Sequence, residues 1–227
     1  MGDFFTSIFG NPAQRTQSFL RGAELRLIDN IVESLPARVE AIQLSGVGAC
    51  GALVASIALI ACNHFPHAIW IVPIAMAINW FGLSVDLPLA RKRQQEAAAE
   101  GMAHHLGEIF SHLSVLIAYG FSPFFTVRAA TVVVICYLLF AAYAYIRAAT
   151  RHVEQMAYIG IGVTEFRILL AFWPFAAVLL GVPQSLGDKQ PAIDVAVLSL
   201  AGFAIIGLLA KLFFDGRKIT AASGRDD

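Results

Sequence analysis

Between Glu40 and Asp86 the chain carries no Lys, Arg, Asp or Glu. An uncharged stretch of that length exceeds a single bilayer crossing, which takes roughly 20 residues. Asn63-His-Phe-Pro-His67 breaks it with turn-forming residues, so it reads as two spans, near 42–62 and 67–90. Composition agrees: 58% of the residues are hydrophobic and 14% are charged, against about a quarter charged in a soluble domain. Backbone polar groups inside lipid must be bonded within their own segment, which makes such spans helical. An all-α integral membrane protein is expected.

Four more apolar segments follow, near 102–120, 126–146, 160–181 and 192–213, for six transmembrane helices in all. Ser122-Pro123 ends the third, and the turn-rich stretch from Gly181 to Pro191 links the last two. Ahead of them, between Gln14 and Leu35, Phe19, Leu20, Leu25, Leu27, Ile28, Ile31 and Val32 recur at helical spacing among Arg15, Arg21, Glu24, Asp29 and Glu33. Such an amphipathic helix lies in the membrane surface or packs on the bundle from the cytoplasm. The expected organisation is an amphipathic cytoplasmic or interfacial segment at 1–40, a six-helix domain at 41–215 and a cytoplasmic tail at 216–227. Met1 to Arg38 lacks an uninterrupted apolar run, so no secretory signal is expected.

Charge distribution orients the spans, because cytoplasmic loops collect Lys and Arg. With the N-terminus inside, the inner side holds Arg15, Arg21, Arg26, Arg38, Arg91, Lys92, Arg93, Arg147, Arg151, Lys211, Arg217, Lys218 and Arg225. The outer side holds Arg128 and Lys189. A multi-pass protein of the inner (plasma) membrane with both termini cytoplasmic is the consistent reading. Formal net charge is zero, so no nucleic-acid partner is implied. Cys50, Cys62 and Cys136 fall in apolar runs and read as small hydrophobes. Small residues such as Gly46, Gly48 and Gly51 in the first span suit close helix packing in a bilayer.

Ionisable residues within or at the ends of spans mark functional sites, and here they concentrate between Asn79 and His112. His104, Glu108 and His112 are four apart and share one helical face, with His105 to the side. Asp86 closes the preceding span, and a short linker makes the two helices antiparallel neighbours. A carboxylate from each with an imidazole between them suits a divalent metal held by Asp86, His104 and Glu108. His105 and His112 are expected either behind those ligands, as hydrogen-bonding support, or as direct ligands themselves. Arg91 and Arg167 are candidate phosphate-binding cations; Glu165 and Arg167, two apart, point to different faces.

The stretch resembles the signature of the CDP-alcohol phosphatidyltransferases, which runs Asp, two residues, Asp-Gly, two residues, Ala-Arg, about eight residues, Gly, three residues, Asp, three residues, Asp. Asp86 stands at the second aspartate and Ala90-Arg91 at the Ala-Arg pair, while His104 and Glu108 stand at the third and fourth aspartates. Leu83 replaces the first aspartate, and Leu87 and Glu100 replace the two glycines, Gly101 falling one residue late. Asn79-Trp-Phe-Gly82, His105 and Gly162-Val-Thr-Glu-Phe-Arg167 add to the likeness.

The resemblance implies a six-helix membrane enzyme of phospholipid biosynthesis, with a CDP-linked donor, an alcohol acceptor, magnesium or manganese, and a homodimer. It implies a base at Glu108 or His104 and substrate binding by Asn79, Arg91 and Arg167. His104 favours a softer metal than magnesium. Leu83 and Leu87 raise the alternative of a non-catalytic relative that binds lipid or partners an active subunit.

Overall fold

The computed structural model describes residues 20–94, 97–151, 157–158, 161–181 and 191–223. Helices make up nearly all of it: α1 (Arg21–Ser34), α2 (Ala41–Ala61), α3 (Ile71–Lys92), α4 (Ala97–Gly120), α5 (Val127–Arg151), α6 (Val163–Leu179) and α7 (Pro191–Ser223). A 3-10 segment, Pro66–Trp70, leads into α3. A two-residue antiparallel pair, Ala157–Tyr158 with Ile161–Gly162, precedes α6.

Among the described residues, four helical segments are long and apolar enough to cross a membrane: Ala41–Ala61, Pro66–Lys92, Val127–Ile146 and Ala192–Phe213. They coincide with four of the six expected spans. The other two are helical but differ in kind. The first half of α4 carries His104, His105 and Glu108, with His112 a turn further on, and α6 has 17 residues with Glu165 in its first turn. Outward-facing Ile57 on α2, Ile135 on α5 and Phe203 on α7 are exposed, a surface that fits hydrocarbon better than water. The last helix continues past the expected end at 213 to Ser223. Residues 1–19 and the 182–190 stretch, with Arg15 and Lys189, lie outside the described residues.

Close approach of α2 and α3 sets the centre of the bundle. A Cβ added at Gly48 would come within 2.7 Å of Leu83 Cγ, and one at Gly51 within 2.7 Å of the Asn79 amide nitrogen. One at Gly82 would run into the Gly48 nitrogen and the Leu44 carbonyl. Backbones this near exclude any larger residue. Asn79 stitches the same crossing: its Nδ2 donates to the Gly48 carbonyl at 2.8 Å and to Ser111 Oγ on α4 at 2.9 Å. Because α4 packs on both α2 and α3, the three form one unit with an apolar core around Leu59, Val72, Val115 and Phe124.

The amphipathic helix α1 packs on this unit. Ile28 and Val32 are buried with Leu44, Val85 and Leu89, while Leu20, Leu25 and Leu27 stay exposed. Glu24 accepts from Trp80 Nε1 at 2.8 Å and from Thr164 Oγ1 at 2.5 Å, linking α1 to α3 and α6. Arg93, just past α3, donates to the carbonyls of Pro36 at 2.7 Å and Ala37 at 3.2 Å, and also to that of Val39. One guanidinium thereby holds the whole link between α1 and α2.

Candidate functional site

The polar cluster forms where the C-terminal half of α3 meets the N-terminal half of α4. Asp86 is buried at 1% exposure, and its carboxylate is enclosed by three donors. His104 Nδ1 lies 2.9 and 3.0 Å from its two oxygens, Ser45 Oγ on α2 donates at 2.6 Å, and the Leu87 amide donates at 2.7 Å. An ionised carboxylate only accepts, so Nδ1 of His104 carries the hydrogen and the lone pair of the neutral ring sits on Nε2. Helical spacing then stacks Glu108 one turn beyond His104.

Glu108 meets a different partner. Arg167 enters from α6 and is itself 3% exposed. Its Nη2 approaches Glu108 Oε1 at 3.5 Å, and its Nη1 donates to Ser84 Oγ at 3.3 Å. Arg167 Nε is buried with no partner among the described residues. Pro88 lies inside α3 without ending it; a proline at that position withholds the helical donor from the Ser84 carbonyl, on the residue that Arg167 touches. Glu165 turns the other way, as its spacing predicts, and accepts from the amides of Gly162 at 2.9 Å and Leu20 at 3.0 Å.

His104, His105 and Glu108 offer ligand atoms that all lie within 4.8 Å of one another. Among the described residues this is the one group of three or more such donors. Its membership differs from the expected trio of Asp86, His104 and Glu108. Asp86 is bonded to Nδ1 of His104 and is not among the three, and the exposed His105 takes the third place. The ring of His105 is steadied edge-on by Tyr145 at 5.5 Å and by His104 at 5.3 Å. His112 does not reach this group: Nδ1 lies 2.8 Å from the Glu108 carbonyl, and the ring sits between Tyr137 at 5.2 Å and Phe166 at 5.4 Å.

Two other candidates stand apart from the cluster. Asn79 is buried two turns before Asp86 and spends both amide hydrogens on helix packing. Arg91 is exposed near the end of α3, while its neighbour Arg93 binds the α1–α2 link. Ser45 and Ser84 were not visible as site residues, since a serine in an apolar helix carries no local signal until its neighbours are known. Leu83, at the place of the motif's first aspartate, is 1% exposed and fills the space between Gly48 and Gly107.

These residues test the cofactor that the resemblance implies. A pair of magnesium ions on a diphosphate needs several carboxylate oxygens in near-octahedral array. Here Leu83 offers none, and the oxygens of Asp86 are engaged by Ser45, His104 and Leu87. The set does not fit two such ions. No family model, no curated protein and no solved structure matches the chain.

Proposed function

We propose that the chain is a CDP-alcohol phosphatidyltransferase-like membrane protein, whose six spans are α2 to α7 and whose site opens to the cytoplasmic face. It transfers a phosphate-linked group from a CDP-activated donor to an alcohol, as in phospholipid biosynthesis. In this reading α4 and α6 cross the bilayer with their charged first turns at the cytoplasmic surface, and α1 caps that end of the bundle. The observation that carries it is the meeting of Asp86, His104, Glu108 and Arg167, from three helices, in one polar cluster within an apolar bundle. Residues of this kind are costly in lipid unless they face one another or a hydrated cavity.

Arg167 supplies a fixed cation for a phosphate oxygen, using the Nε hydrogen that no described residue takes up. Glu108 is the carboxylate placed to accept the proton of the acceptor hydroxyl, with His104, oriented by Asp86, beside it. Purified protein supplied with CDP-alcohols and CDP-diacylglycerol, an alcohol acceptor and a divalent salt is expected to release CMP, and Glu108→Gln is expected to lower that release at least about a hundredfold. Absence of CMP with every donor would remove the transferase reading.

A second reading is favoured by Leu83. A buried leucine at the position of a motif aspartate, packed under Gly48 and Gly107, supports a non-catalytic relative that binds lipid or partners an active subunit. Undiminished function of Asp86→Ala in cells would favour it.

A further inference from the structure

We propose that His104, His105 and Glu108 form a site for one transition-type divalent ion, of the zinc, cobalt or manganese class, with Asp86 as the carboxylate that orients His104 rather than as a ligand. The site stands on its own geometry and does not require the transferase reading; with the ion bound, Glu108 is a ligand and no longer the free base of that reading. It departs from the pair of hard, carboxylate-bound ions that the resemblance implies, and that departure is its content.

Three features carry it. The donor atoms of the three side chains lie within 4.8 Å of one another; bond lengths of roughly 2.0–2.2 Å require them within about 4.4 Å, a closure of a few tenths of an ångström that rotation of the exposed His105 supplies. His104 is held in the manner of metal-ligating histidines, whose second ring nitrogen donates to a carboxylate that sets both tautomer and ring direction. Its Nδ1 lies 2.9 Å from Asp86 Oδ1, and Asp86 is in turn fixed by Ser45 Oγ at 2.6 Å. The ring can therefore present only Nε2 to an ion. Finally, two imidazoles and one carboxylate form a borderline donor set that suits zinc, cobalt or manganese, and is poor for magnesium, which prefers oxygen ligands and keeps its waters.

Glu108 has two oxygens, and the 3.5 Å approach of Arg167 Nη2 is to Oε1. Three protein ligands leave coordination positions open, so a phosphate oxygen or water completes the shell. Because His105 is exposed, the ion is reached from solvent without opening the bundle.

The test uses full-length, tag-free protein in detergent, stripped with a chelator and titrated with Co2+. Calorimetry and the visible absorption of bound cobalt are the readouts, neither of which needs activity. One Co2+ per chain is expected, displaced by Zn2+ and not by excess Mg2+. His105→Ala, at an exposed position, is expected to fold normally and to lose at least about tenfold in affinity. Asp86→Asn is expected to weaken binding by about 10–100-fold while leaving the stoichiometry at one, the signature of an orienting group. His64→Ala, at the other end of the bundle, should bind as the parent does.

Cobalt affinity unchanged in His105→Ala would overturn the proposal. So would two ions per chain displaced by Mg2+, or no binding by protein that elutes as a folded species. If Asp86→Asn does not fold, the His105→Ala result decides. Cobalt binding without CMP release from any donor would sink the transferase reading and leave this site standing.

Discussion

Asp86 shows how a single side chain is redefined by what surrounds it. Its oxygens accept from Ser45, His104 and the Leu87 amide, so it is spent within the protein. A buried charge satisfied in this way costs far less than an unpaired one. Leu83, one turn earlier, is the complementary case: an apolar side chain where a carboxylate would be needed. Leu83→Asp restores the motif on paper, yet it places a charge against Gly48 and Gly107 at a position 1% exposed. The expected outcome is destabilisation of about 3–5 kcal/mol and no second metal, read from denaturant titration in detergent and from elemental analysis. A variant of parental stability that holds two ions would show instead that the pocket tolerates the two-ion chemistry of the family that the stretch resembles. Asp86, His104, Glu108 and Arg167 were legible in the sequence as charges out of place in an apolar chain. Whether His105 ligates or supports stayed open in the sequence, because only the ring directions of neighbouring residues decide which of two adjacent histidines faces the carboxylate.

Among elements, the α2–α3 crossing governs the site, since Ser45 and Asp86 sit on the two helices that Gly48 and Gly82 bring together. Gly82→Ala puts a methyl into the Gly48 nitrogen and the Leu44 carbonyl. Neither can step aside as a flexible side chain would. Overpacking of this kind costs about 1–3 kcal/mol or more, and separating the helices also lengthens the Ser45–Asp86 contact. The expected result is a lower unfolding midpoint together with weaker cobalt binding. Gly22→Ala, where the added carbon meets nothing within 4 Å, should change neither. The helices themselves were readable from uncharged length and turn residues, within a few positions at most ends. The pairing of α3 with α4 followed from their short linker, and Gly48 and Gly51 marked α2 for close packing, but which helix would meet those glycines was not readable from the pattern of α2 alone.

At the scale of the whole molecule, the topology turns on α4. Lys92 and Arg128 flank it, and the six-span reading puts them on opposite sides. In a background lacking Cys50, Cys62 and Cys136, Arg128→Cys is expected to react with an impermeant thiol reagent from outside intact cells, and Lys92→Cys only after the membrane is opened. Labelling of both from one side would reduce the spans to an arrangement without α4.

Sequence by itself determined the class of solvent and the helical architecture, because uncharged length and loss of backbone hydrogen bonding in lipid leave little else. It also marked where polar and charged groups would concentrate, since ionised groups are tolerated in such a chain only when they are partnered or hydrated. Tertiary structure alone decided which carboxylate faces which imidazole, that Arg167 from a distant segment meets Glu108, and that Leu83 packs between Gly48 and Gly107. Those outcomes depend on distances between separate helices, and helix contacts are set by small-residue stripes and side-chain directions that one-dimensional spacing does not encode.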